Sequence, residues 1–272
     1  MSESILANIS NNVRLFTNII INTYMQDSKS TTNIYGYKEL DRLYEITLNK
    51  TKLLINKTFL GAETSRETDD VISLMGKIST YKFYDIFDYI MENNKLISKE
   101  LELERHSLNV ALLVMYSANP LKIRVTRELV IAALLHDIGK YSIDAEILFK
   151  SSKLTDDEFK KIKMHTVIGH KKLETLNCSN LIAYTARNHH ENYKSGGYPD
   201  RTNIANMDVV IQLVRLCDMF EAMTSERVYK NPMSPIESLK IISSDVDLNN
   251  SICVQKQWVD FISKKLNDTK IY

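Results

Sequence analysis

The chain has 272 residues, enough to bury a sizeable core as one large domain or two moderate ones. Its 35 basic and 34 acidic residues nearly cancel, which argues against a nucleic-acid polymer or a membrane as partner, although one pocket can still be basic. Three widely spaced cysteines favour reduced thiols over a disulfide framework. No signal-peptide pattern or membrane-length apolar run occurs, so a cytoplasmic location is expected.

The pattern along the chain is helical throughout. Helix breakers are few before Pro120, and the run RELVIAALLHDIGK then predicts a short, strongly apolar helix. Thr155 and Glu158 have the spacing of a capping box, which predicts a helix through His165. Further helices are expected over residues 179 to 191, 206 to 223, 235 to 244 and 253 to 266. No strand-period alternation competes with them, so the sequence predicts an all-α fold.

Histidines and aspartates form the main chemical signal. All six histidines lie between His106 and His190, and both ends of the chain have none. His136 and Asp137 follow the apolar run AALL, and Asp218 lies within the apolar segment VIQLVRLCDMF. Burying a carboxylate costs several kcal/mol unless a metal ion or a paired charge offsets it. A structural hydrogen bond would explain either aspartate alone, but the two together with the histidines predict a metal site.

Two adjacent pairs within this set bear on the number of metal ions. Neighbouring residues on a helix point about 100° apart. His136 and Asp137 are therefore better suited to two ions, or to a bridge between them, than to one ion. The same argument applies to His189 and His190.

Two further residues are ambiguous from spacing alone. Glu102 lies four residues before His106, on the same helical face, and is either an extra ligand or a solvated acid. His170 follows His165 by five residues and points about 140° away from it on a helix. We interpret His170 as a surface histidine.

A set of motifs in the second half of the chain carries a family resemblance. In order they are His106, HDIGK at 136–140, His165, HHE at 189–191, GYP at 197–199 and Asp218 within DMFEAMTSERVYK. The pattern resembles the HD-GYP family, within the HD superfamily of metal-dependent phosphohydrolases. The resemblance implies an all-helical catalytic domain, placed at residues 97–272, that hydrolyses the bacterial second messenger cyclic di-GMP. Residues 1–96 match no family and are interpreted as a helical sensory or dimerisation module, or as packing for the catalytic domain.

The resemblance also implies the residues of the site. Its metal ligands are Glu102, His106, His136, Asp137, His165, His189, His190 and Asp218, with Glu102 at a third ion. Its substrate contacts are Lys140 near the scissile phosphate, Gly197, Tyr198 and Pro199 of the GYP loop, and Arg227 and Lys230 at the ligand phosphates. Two or three divalent ions are expected, and a shell of imidazoles and carboxylates without thiolates favours iron or manganese.

The implied reaction uses a hydroxide that bridges the metal ions, with Asp137 as the bridging ligand, and yields pGpG, GMP or both. Two alternatives stay open: an HD phosphohydrolase for another nucleotide or cyclic dinucleotide, and a non-catalytic cyclic di-GMP sensor. Residues 144–146 and 194–195 depart from the family pattern but spare every implied ligand, so they bear on substrate fit. A homodimer and a protein partner at the GYP loop are further expectations.

Overall fold

A computed structural model of the protein describes residues 34–82, 85–87, 89–90, 101–193, 196–226, 231–244 and 254–268, with side chains from residue 38 onward. These residues contain helices and no β-strand, apart from one isolated parallel bridge between Asn192 and Asn203. The predicted all-α fold is confirmed. No helix among them has the length and apolar character needed to span a membrane. Cys178 and Cys217 form no disulfide, and Cys253 lies outside this part of the chain.

Residues 85–87 and 89–90 are helical, and ten α-helices have both ends within the described residues. They are α1 (Ile34–Leu60), α2 (Ser65–Ile78), α3 (Glu102–Ala118), α4 (Arg127–Leu135), α5 (Ala145–Leu148), α6 (Asp156–Thr175), α7 (Asn180–Asn188), α8 (Val209–Thr224), α9 (Pro235–Ser243) and α10 (Val254–Asp268). Two 3₁₀ helices join them, Ile138–Ser142 and Ile204–Asn206. The four helices predicted after residue 178 correspond to α7–α10. The capping box at the start of α6 is confirmed, since Thr155 and Glu158 each accept the other's backbone N–H.

Helix α3 lies at the centre of the fold. Each of its residues from Glu104 to Ala118 is buried, and it packs against α1, α4 and α8. A helix that is buried all round must find partners for its polar side chains inside the protein. Ser117, for example, accepts a hydrogen bond from the indole N–H of Trp258 at 3.0 Å. His106, on the same helix, is thereby placed in the interior.

The described N-terminal helices share one hydrophobic core with the later helices. Leu40 and Tyr44 of α1 belong to the same buried cluster as Leu112 of α3. The hydroxyl of Tyr116 donates to the backbone carbonyl of Ile78, at the end of α2, at 3.2 Å. The predicted division into residues 1–96 and 97–272 stays a prediction.

The HD motif passes very close to α6. At Gly139, in the 3₁₀ helix, a Cβ atom would lie 1.9 Å from the carbonyl oxygen of His165 and 2.7 Å from the backbone nitrogen of Gly169. Both neighbours are backbone atoms, so neither can rotate away. The absence of a side chain at Gly139 is what lets the HD motif lie against the helix that carries His165.

This close approach makes Gly139→Ala a strongly destabilising change. We expect it to lower the free energy of unfolding by about 3 kcal/mol, because the 3₁₀ helix and α6 must separate to admit the methyl group. Urea unfolding of the metal-free protein measures the change. The control is Gly196→Ala, where an added Cβ would meet only the side chain of Asn192 at 3.4 Å. That variant should stay within about 0.5 kcal/mol of wild type, and equal losses in the two variants would contradict the argument.

Candidate metal centre

Four buried histidines are held by their Nδ1 atoms and direct their Nε2 atoms toward two aspartates. The Nδ1 atoms of His136, His165 and His189 lie 2.7, 2.7 and 3.1 Å from backbone carbonyl oxygens one turn earlier in the chain. A carbonyl oxygen only accepts, so each Nδ1 carries the proton and each Nε2 keeps a lone pair. His106 is held by the carboxylate of Glu221, which contacts its Nδ1. This second contact of each ring fixes its tautomer and orientation, as it does in metal sites.

Asp137 lies between two pairs of these nitrogens. Its Oδ1 is 3.3 Å from Nε2 of His165 and 3.5 Å from Nε2 of His189. Its Oδ2 is 3.4 Å from Nε2 of both His106 and His136. Each carboxylate oxygen therefore faces one histidine pair, the arrangement required of a carboxylate that bridges two ions.

Asp218 and His190 complete the cluster. Asp218 Oδ1 lies 3.0 Å from Nε2 of His106, and its Oδ2 lies 4.0 Å from Nδ1 of His190. Within the described residues, the ligand atoms form two groups, each with all of its atoms within 4.8 Å of one another. One group is Asp137, His165, His189 and His190, and the other is His106, His136 and Asp218.

These atoms suit a cation better than they suit one another. The Nε2 atoms of His165 and His189 are 3.3 Å apart, and both carry lone pairs, so no N–H joins them. His136 Nε2 and Asp137 Oδ1 are buried and find no hydrogen-bond partner in the described part of the chain. A buried polar atom without a partner costs about 1–3 kcal/mol. Imidazole nitrogens and carboxylate oxygens together are ligands for divalent first-row metals, so the residues present fit such ions.

The protonation states also favour metal binding. Burial opposes ionisation of Asp137, but the Lys140 ammonium and nearby histidines outweigh it and hold the pKa of this carboxyl well below its usual value. For Asp218, burial is outweighed by the close contact with His106, and the pKa is again lowered. Burial and a neighbouring histidine lower the pKa of His190. Ionised carboxylates and neutral imidazoles are the forms that bind metals.

One prediction about the adjacent pairs differs from the structure. His136 and Asp137 fall in different groups, but His189 and His190 fall in the same group, with ring centroids 4.1 Å apart. The helical argument applies to neither pair, because α4 ends at Leu135 and α7 ends at Asn188, so all four residues lie at or beyond a helix end.

Glu102 and His170 lie outside both groups. Glu102 is the first residue of α3 and lines a cavity together with Lys140, so its role as a metal ligand stays a prediction. His170 contributes no ligand to either group, but the expectation of a surface histidine is wrong. Its side chain is only 12% exposed, because α7 packs against α6 and places Tyr184 with its ring 4.9 Å away.

Lys140 lies between this cavity and the two ligand groups, which we together call the metal-type cluster. Its ammonium bonds to Asp137 Oδ2. The cavity has a volume of about 590 Å³ and is also lined by Phe149, Phe159 and Lys153. Its lining thus combines aromatic rings and cations with the carboxylates of Glu102 and Asp156.

The GYP loop lies against the metal-type cluster. The ring of Tyr198 stacks on His190, with centroids 4.7 Å apart, and the following peptide bond to Pro199 is cis. A Cβ at Gly197 would lie 2.4 Å from the carbonyl oxygen of His190, so only glycine fits there. Arg227 and Lys230, the two other predicted phosphate contacts, lie outside the described residues.

Two glutamates with clear structural roles had no role assigned from the sequence. Glu221 holds His106, and its position three residues after Asp218 on α8 is the signal that could have found it. Glu191 is fully buried, and its carboxylate accepts backbone N–H groups of residues 200–202 at 2.6–3.0 Å. Its position directly after His189 and His190 is the sequence signal that could have found it. This carboxylate fixes the chain that follows Pro199.

The chain is similar to a known domain family and to curated proteins. A family model described as HD domain matches residues 89–248. A protein of Thermotoga maritima named "Cyclic di-GMP phosphodiesterase" is 33% identical over 181 residues, which cover 63% of this chain and 49% of that protein. A Vibrio cholerae protein named "3'3'-cGAMP-specific phosphodiesterase 1" is 32% identical over 144 residues, covering 52% and 33%. The chain thus spans about half the length of the first relative and a third of the second.

A solved structure has the same fold. It is an HDG"Y"P protein from Bdellovibrio bacteriovorus, with a TM-score of 0.63 over 91% of this chain and 78% of that chain. Sequence identity between the two is 15%. At that identity, the likeness concerns the fold alone.

Proposed function

The chain belongs to the HD domain family, and from that membership and its metal-type cluster we propose that it is a metal-dependent phosphodiesterase that hydrolyses cyclic di-GMP. The proposal is supported by the order of the HDIGK, HHE and GYP motifs and by the name of the Thermotoga maritima relative. The chain spans only about half of the length of that relative, so the relative's name alone does not establish the activity of this chain.

The observation that carries the proposal is the position of Asp137. A buried carboxylate with one oxygen toward each of two histidine pairs is suited to two divalent ions. We assign one ion to each group of ligands, with iron or manganese favoured by the donor set, and a third ion at Glu102 as an extension. When bound, such ions would lower the pKa of water, so that hydroxide is available to attack a phosphodiester at neutral pH, and their positive charge would screen the phosphate oxygens.

The chain's own residues would bind and orient the substrate. Lys140 lies between Asp137 and the cavity, where its ammonium would place positive charge beside a phosphate. The resemblance gives the same role to Arg227 and Lys230, and assigns ligand contacts to the GYP loop around Tyr198. His136 and His165 are almost fully buried, which excludes bulk water and strengthens the electrostatic interactions of the site.

The test is hydrolysis by purified, metal-loaded protein, with cyclic di-GMP and 3'3'-cGAMP as parallel substrates. Conversion of cyclic di-GMP to linear pGpG or GMP, resolved by liquid chromatography, is the expected result. The cGAMP arm is included because three Vibrio cholerae relatives are named as specific for that compound. Turnover of cGAMP alone would support the alternative substrate. Binding of cyclic di-GMP without products would support the sensor.

Several expectations accompany this proposal and stay predictions. They are the cytoplasmic location, the homodimer, the protein partner at the GYP loop, and the separate role of residues 1–96. The shared core between the described N-terminal helices and α3 supports the simplest role for these helices, which is packing against the catalytic helices.

A further inference from the structure

A buried hydrogen-bond chain begins on helix α1. The hydroxyl of Tyr44 donates to Oδ1 of Asn109, on α3, at 2.6 Å. Burial raises the pKa of Tyr44 far above its ordinary value, so the hydroxyl keeps its proton and remains a donor at neutral pH. Because the carbonyl end of the Asn109 amide faces Tyr44, the NH₂ end is directed away from α1.

Asn109 extends the chain to a carboxylate on α8. Its Nδ2 donates to Oε1 of Glu221 at 3.1 Å, and Oε2 of Glu221 contacts Nδ1 of His106. The hydroxyl of Ser225 donates to Oε1 at 2.7 Å. Both carboxylate oxygens are therefore fixed: Oε1 by Asn109 and Ser225, and Oε2 by His106.

The chain lies entirely inside the protein. Tyr44, Asn109, Glu221 and His106 are exposed by 4%, 0%, 1% and 2% respectively. Hydrogen bonds in such surroundings are stronger than in water, and a lost partner is not replaced by solvent. Tyr44 is therefore connected to His106 through two intervening side chains.

We propose that Tyr44 is a positioning residue for the metal centre, acting through Asn109 and Glu221 on the orientation and basicity of His106. In this arrangement α1 contributes to metal binding although neither ligand group contains one of its described residues. The inference rests on the metal centre of the proposed function and not on the identity of the substrate.

The matched variants are Tyr44→Phe and Tyr89→Phe in the full chain. Tyr89 packs its ring 5.0 Å from that of Tyr44 and donates its hydroxyl to Asp41 at 2.7 Å, so the same atom is removed from the same aromatic pair. Affinity for Mn²⁺ is measured by competition with a chromogenic chelator. Loss of a partner beyond the ligands lowers metal affinity by roughly 10–100-fold, and we expect the lower end, roughly tenfold, for Tyr44→Phe. Tyr89→Phe should bind Mn²⁺ like wild type.

A second variant cuts the same chain at its next member. Asn109→Ala should weaken Mn²⁺ binding at least as much as Tyr44→Phe, and adding Tyr44→Phe to Asn109→Ala should weaken it no further. Asn109→Ala also provides the test if Tyr44→Phe does not fold. Equal Mn²⁺ affinity in wild type, Tyr44→Phe and Asn109→Ala would overturn the positioning role of Tyr44. It would leave the proposed metal centre unaffected. A wild-type chain that binds no Mn²⁺ would instead overturn the metal centre, and the proposed function with it.

Discussion

Asp137→Ala is expected to abolish hydrolysis of cyclic di-GMP while leaving the helical content of the protein unchanged. Asp137 is the one residue whose two carboxylate oxygens face both histidine pairs within the described part of the chain. Without it, the two proposed ions lose their shared anion, and Lys140 loses its partner. Turnover should fall by roughly 10³-fold or more, beyond the roughly 10–100-fold effect of losing an outer partner of a ligand. Product formation by chromatography and far-ultraviolet circular dichroism measure the two quantities.

The matched control for this change is Asp260→Ala. Asp260 is exposed on α10, pairs with Lys256 one turn earlier, and belongs to neither ligand group. Its loss should leave turnover within a few-fold of wild type. Wild-type turnover by Asp137→Ala would exclude the proposed centre.

Metal removal should both stop hydrolysis and lower the melting temperature. The folded protein gathers the two ligand groups, whereas an unfolded chain does not, so bound ions stabilise the folded state by mass action. With Mn²⁺ at about one hundred times its dissociation constant, the gain is about 2.7 kcal/mol. For a protein of this size that corresponds to a rise of about 5–10 °C. Thermal unfolding of chelator-treated protein with and without added Mn²⁺ measures it.

Two histidines of the same helix distinguish specific binding from a general effect of the metal. His165→Ala should lose most of the Mn²⁺-dependent rise, because His165 belongs to one of the ligand groups. His170→Ala, one turn later on α6, removes an imidazole outside both groups and should keep the full rise. A Mn²⁺-dependent rise of the same size in both variants would mean that the metal binds elsewhere.

Two routes predict the seven residues of the two groups. Residue type and local context indicate His136, Asp137 and Asp218 at or within apolar segments, and the adjacent pair His189 and His190. The family resemblance adds His106 and His165. The contacts that orient these residues, in contrast, join parts of the chain that are far apart in the sequence. Glu221 meets His106 across 115 residues, and Tyr44 meets Asn109 across 65. Local spacing can place Glu221 beside Asp218, but it does not indicate which residue either side chain contacts.

Two differences between the sequence interpretation and the structure have local physical causes. The directions of His189 and His190 depend on where α7 ends, and helix ends are set by capping contacts that periodicity does not reveal. His170 was assigned to the surface because it points away from His165 on α6. Whether that face meets solvent or another helix depends on packing, and α7 covers it.

The ring contacts of His136 and His189 also lie at the ends of two helices. Each residue stands at the C-terminal boundary of its helix, α4 or α7, and its Nδ1–H is directed at a carbonyl of that helix's last turn. Carbonyls in the last turn carry the negative end of the helix dipole, and the carbonyl of Thr185 also accepts the backbone N–H of His189. The side chain at each helix end thus presents its other nitrogen to the proposed metal centre, so we expect a substitution at either position to change both the helix end and the metal affinity.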